Sequence, residues 1–163
     1  PELTLLVPED HDGQTTAARP TFFWYLKNAS AAKFTLVKPG VPKPLVEKTV
    51  RAPQSGIMSF GMPNNGPELS VGQDYRWTVS VLCNPNRPSE VITFTQSFIQ
   101  RVAPTAELSR ELAMAKSDRD RARIYAKNGL WYDALAAYNQ AVAKDPTVRS
   151  EMLSVLDEVK LNS

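Results

Sequence analysis

Proline constrains this chain more than any other residue, because it is distributed so unevenly. Eleven of the thirteen prolines and six of the seven glycines fall within residues 1–103 of 163. Proline fixes φ and removes a backbone donor, so it punctuates strands and is excluded from helix interiors. The chain before Pro104 is therefore expected to be β, and residues 104–163 to be α. Charge divides at the same place: ten cationic against eight acidic side chains before Pro104, and nine against nine after it. A net charge of +2 is too even to suggest a nucleic-acid or membrane surface. No run of ~18 apolar residues is present, which excludes a transmembrane helix from this stretch. A single cysteine and a single histidine exclude a disulfide framework and a Cys/His zinc site within one chain. The first residue is Pro1, so the chain is expected to be a processed or trimmed piece of something longer.

Seven short runs bounded by turn residues mark the β half: Leu3–Val7, Thr21–Leu26, Lys33–Lys38, Leu45–Val50, Gly56–Phe60, Asp74–Cys83 and Val91–Arg101. So many strands in so short a stretch predict two antiparallel sheets packed face to face. In the run at Tyr75, residues Tyr75, Trp77, Val79, Val81 and Cys83 share one face, so Cys83 is expected inward as an inert buried thiol. Leu69-x-x-Gly72-x-x-Tyr75 resembles the tyrosine corner of fibronectin-III and immunoglobulin sandwiches, and Pro20-x-x-x-Trp24 resembles their second strand. Phe22, Trp24 and Leu26 lie on one face of that strand, with Phe23 and Tyr25 on the other. Aromatics on both faces predict a cover on the outer side, and the helical half is the nearest candidate.

From Thr105 the pattern turns helical, with Leu108, Leu112, Ala115, Ala122 and Tyr125 near one stripe. Ser117-x-x-Asp120 either opens a second helix or interrupts a long one, and both readings stay open. Asn128-Gly129 closes the stretch, because glycine takes the left-handed conformation at a helix end. A helix over 130–144 stops at Asp145-Pro146, and one over 146–161 follows as a cap through Val148, Met152, Val155, Leu156 and Val159. Ala122, Tyr125, Gly129, Tyr132, Ala134, Leu135, Tyr138, Ala141 and Pro146 resemble a single tetratricopeptide repeat. Asp118 and Arg121 depart from it, standing where that repeat usually carries a large aromatic and a leucine. One repeat cannot bury its open face alone, so this one is expected to pack on the β half, a partner or a continuation of the chain.

The whole chain resembles the cyanobacterial family named Domain of Unknown Function 928, over residues 3–145. The resemblance rests on Leu3–Pro8, Arg19–Tyr25, Gly56–Phe60, Leu69–Trp77, Cys83–Ser89, Phe98–Arg101 and Tyr125–Leu135. Ser97-Phe98 departs from it, since the family usually carries Gly-Trp there. The family has no assigned activity; the resemblance implies export to the periplasm or the outside, because many members begin with a secretory signal.

Chemistry-bearing residues are few. His11 lies in Glu9-Asp-His-Asp-Gly13, where a carboxylate-flanked imidazole could act as a base. Asp10-x-Asp12-Gly13 has the start of a calcium loop but lacks its later ligands. A solvated loop is the expectation, with no metal and no cofactor. Arg119, Arg121 and Arg123 are expected to splay around their helix as a solvated face, with Arg119 and Arg123 available to an acidic protein surface. Trp131 is the candidate aromatic anchor. No phosphate loop, nucleophile elbow or paired-carboxylate motif is present.

The expectation is thus an α+β protein: a fibronectin-III/Ig-like antiparallel sandwich over 1–103 and a tetratricopeptide-like helical hairpin with a capping helix over 104–163, packed on it. Its expected role is that of a non-enzymatic, exported adaptor. Another protein is its expected partner, with no nucleic acid and no membrane insertion, and Trp131, Arg119 and Arg123 are the contact residues. The alternative is a carbohydrate- or envelope-binding module, which an exposed aromatic strip on a sheet would favour.

Overall fold

The computed structural model describes residues 1–8 and 13–161, the last four of these by backbone alone. Eight strands precede four helices in the described residues. The strands are β1 (Glu2–Leu5), β2 (Gly13–Thr15), β3 (Thr21–Lys27), β4 (Ala31–Val37), β5 (Val46–Arg51), β6 (Gly56–Gly61), β7 (Asp74–Leu82) and β8 (Val91–Arg101). One sheet has the order β1-β3-β6 and the other β2-β8-β7-β4-β5. The helices are α1 (Ala106–Met114), α2 (Asp118–Lys127), α3 (Trp131–Lys144) and α4 (Arg149–Leu161), with a 3-10 turn at Pro146–Val148 before α4. No helix among the described residues is long and apolar enough to cross a membrane.

By contacts the chain separates into two compact units. The first comprises Pro1–Leu6, Phe22–Pro67 and Asp74–Ile99; the second comprises Val7–Thr21, Glu68–Gln73 and Gln100–Ser163. Alternation builds the first unit. Phe22 and Trp24 of β3, Phe34 of β4 and Trp77 of β7 are all fully buried. Phe34 is the centre of the cluster, with its ring 4.8 Å from Phe22 and from Phe60 of β6, and 6.1 Å from Trp77. Such tilted pairs contribute beyond the area they bury. Phe23 on the opposite face of β3 is also buried, and Tyr25 is half-buried.

One expectation for this unit is corrected. Cys83 is exposed, because β7 ends at Leu82 and the thiol falls in the turn that follows. The alternation also shifts there: Ser80, Val81 and Leu82 are all buried, so both faces are covered near that end of the strand.

In the second unit the stretch after Thr105 is two helices. Ala115 leaves helical geometry with ψ 137°, and the Ser117 hydroxyl accepts the Asp120 N–H at 3.0 Å to start α2. That is an ordinary N-cap, of the kind its sequence allows. Helix α2 ends at Gly129 with φ +73°. There Leu130 N–H reaches the Tyr125 carbonyl and Gly129 N–H the Ala126 carbonyl, the paired bonds of a Schellman ending. The hairpin that results lets α2 and α3 bury Ala122, Ala134, Leu135, Tyr138 and Ala141.

Candidate functional site

Arg119 and Arg123 lie one helical turn apart on α2, so they share a face and both reach Glu151 of α4. Arg119 Nη2 is 3.1 Å and Arg123 Nη2 2.5 Å from Glu151 Oε1, and Arg123 Nε is 3.2 Å from Oε2. The bond from Arg123, with help from Arg119 and the Tyr138 hydroxyl, holds the Glu151 carboxyl down at about 2 against the opposing effect of burial. Burial, and then its bond to Glu151, pushes the Tyr138 hydroxyl up to about 12. The arginines therefore do not splay as a set. Arg121 alone turns away, to Asp118, whose other oxygen takes Lys144 Nζ at 2.7 Å. Lys144 first and Arg121 second keep that carboxyl below its usual range. Trp131, the first residue of α3, is half-buried between the buried Leu130 and Tyr132.

Asp133, in the first turn of α3, was not singled out by its sequence. It is buried, and Oδ1 accepts the Thr15 hydroxyl at 2.5 Å. Its Oδ2 accepts both the Thr16 N–H and the Thr16 hydroxyl at 2.8 Å. This one carboxylate fastens the end of β2 to the helices across 118 residues of sequence. Gly13 fits the same junction: a methyl group there would overlap the buried Tyr132 ring. Its glycine is thus explained by close approach to that ring. Beside Asp133 lies a cleft of about 340 Å³ walled by Thr16, Arg121, Tyr125, Ala137 and Gln140. Burial and the Asp133 charge raise the Tyr125 hydroxyl, and a bond with Thr16 opposes them.

His11, with Glu9, Asp10 and Asp12, lies outside the described residues. Among the described residues no three His, Cys, Asp or Glu side chains are grouped to hold a metal ion.

Strand β8 carries the most exposed apolar surface of the β part. Ile92, Phe94 and Phe98 alternate along it, 52%, 61% and 42% exposed, while Ile99 is fully buried. The nine residues Val91–Ile99 contain no charge, proline or glycine. That even-numbered apolar set was legible as alternation, but alternation does not tell which face meets a core.

The arrangement defines an α+β protein with two sheets, four C-terminal helices and, on β8, the exposed apolar side chains Ile92, Phe94 and Phe98. The chain belongs to the family described as Domain of Unknown Function (DUF928), which matches it over residues 1–163. No curated protein matches it.

Proposed function

We propose that this chain is a non-enzymatic protein-docking module of an exported protein, and that β8 carries its contact surface. The observation that carries the reading is the uncharged run Val91–Ile99 with Ile92, Phe94 and Phe98 in water. Contiguous exposed apolar side chains mark interaction sites, and large aromatics dominate interface energetics. In this reading the paired sheets form an Ig- or fibronectin-III-like sandwich, supported by the aromatic cluster around Phe34. The α2–α3 hairpin is tetratricopeptide-like, supported by buried alanines interleaved with Tyr132 and Tyr138. Arg119 and Arg123 then serve mainly to hold α4, and Trp131 is a secondary contact. Cyanobacterial origin and export are carried by the family resemblance alone.

The test is capture of a specific protein by the immobilised chain. Phe94→Lys is expected to abolish capture with melting unchanged, and Trp131→Ala to weaken it. Equal capture by wild type and Phe94→Lys removes β8 as the contact surface. A second reading, a carbohydrate-binding module, is favoured by Phe94 and Phe98 flanking Gln96 along one face of the strand. Silence on a glycan array removes it.

A further inference from the structure

We infer that the loop joining β4 to β5 docks on an anionic lipid surface, with Val41 at its apex and the cations of the hairpin beside it. The inference goes beyond the docking reading above and uses no residue of β8. An overall charge of +2 conceals a separation: the first unit carries eight cationic against four acidic side chains, the second eleven against thirteen. Five of those eight cations, Lys33, Lys38, Lys43, Lys48 and Arg51, lie within Lys33–Arg51, where Glu47 is the one acid. Cations of α2 and α3 pair with Glu151, Asp118 and Glu111. Those of the hairpin do not. Lys33 donates to the Pro88 carbonyl, but among the described residues Lys38, Lys43, Lys48 and Arg51 meet no acid.

The loop holds these groups in place. Pro39 and Gly40 form a turn closed by the Val41 N–H on the Lys38 carbonyl at 3.0 Å, with Gly40 at φ +84°, the conformation a Pro-Gly pair favours. The Leu45 N–H closes the base on the Leu36 carbonyl at 2.8 Å, and Pro42 and Pro44 restrict the chain between. Val41 is 46% exposed, and a methyl group on Gly40 would meet no atom within 4 Å, so the apex is convex. Arg76 of β7, the cross-strand neighbour of Val37, brings a further exposed cation to the start of the loop. Glu47 and Asp74 are the acids on the same strands. A convex apolar apex flanked by unpaired cations offers no groove for a partner's side chain. A headgroup layer yields around such an apex, and each Lys or Arg near an anionic leaflet strengthens attachment roughly fivefold. Surface attachment of this kind needs no spanning helix.

The test is flotation of the full chain with vesicles of phosphatidylcholine alone, or of equal parts phosphatidylcholine and phosphatidylglycerol. Wild type is expected on the mixed vesicles only, and is expected to leave them in high salt. Lys38→Gln combined with Lys43→Gln is expected to weaken binding roughly thirtyfold, and Val41→Ser severalfold, with melting unchanged in both. Arg87→Gln, in the turn at the opposite end of β7, is expected to bind as wild type does. Absence from the mixed vesicles overturns the inference, as does equal binding to phosphatidylcholine alone or binding indifferent to Lys38 and Lys43. An acidic protein captured through those two lysines, with no vesicle bound, overturns the lipid in favour of a protein occupant.

Discussion

Asp133 lies buried in the first turn of α3 and takes three hydrogen bonds from uncharged donors on Thr15 and Thr16, whereas Glu151 sits partly in water between two arginines. Both carboxylates fasten one piece of the helical unit to another. The buried one satisfies donors that water cannot reach, so its removal leaves them orphaned. The half-solvated one exchanges hydration for ion pairs that solvent screens, and the net gain is small. Electrostatic strength at a contact and its worth to the fold are therefore different quantities. The half-solvated ion pair is expected to be the weaker fastening, because solvent screens it and both arginines are exposed.

The largest expected effect is that of Asp133→Ala, which strands the Thr15 hydroxyl and both Thr16 donors and should cost about 3 kcal/mol by urea denaturation. Asp133→Asn sharpens the point: it keeps the shape but aims an amide donor at other donors, and should also destabilise. Next comes Gly13→Ala, which forces a methyl into the Tyr132 ring and should cost about 2 kcal/mol. Glu151→Gln should cost only about 1 kcal/mol or less, given the exposure of both arginines. If Glu151→Gln destabilises more than Asp133→Ala, the comparison is reversed.

The pH dependence reads the same Glu151 contact by titration, and its sign follows from linkage. Glu151 titrates near 2 in the fold against an ordinary 4.5, so the fold favours the carboxylate. Its contribution is complete above pH 4.5 and is lost as pH falls from 4.5 towards 2. Tyr138 is raised from 10 to about 12, so its contribution holds below pH 10 and fades as pH rises to 12. Melting curves of wild type and Glu151→Gln should therefore converge at low pH, and high salt should narrow their gap while leaving the Asp133→Ala deficit intact.

Much of the fold was legible because it is written locally. Alternation located β3, β7 and β8, and Asn128-Gly129 and Asp145-Pro146 placed the helix ends. What escaped was short or distant. Gly13-Gln14-Thr15 has no apolar residue and reads as loop; its strand exists because β8 and Asp133 receive it. An aspartate three residues into a helix reads as a partner for the helix dipole, and nothing nearby points to Thr15. The shared face of Arg119 and Arg123 was visible in their spacing, but Glu151 stands on another helix. Cys83 followed the parity of its strand, and that parity fails where the strand ends.

The junction at Thr15 also bears on how the molecule is made. Synthesis runs from the N-terminal side, so Gly13, Thr15 and Thr16 leave the ribosome more than a hundred residues ahead of Tyr132 and Asp133. Until α3 emerges, that early segment has nothing to close against, and a contact of such long reach is slow to form. The first-made residues of this unit are among the last to find their place, and their waiting interval is the one in which a chaperone or a protease would meet them.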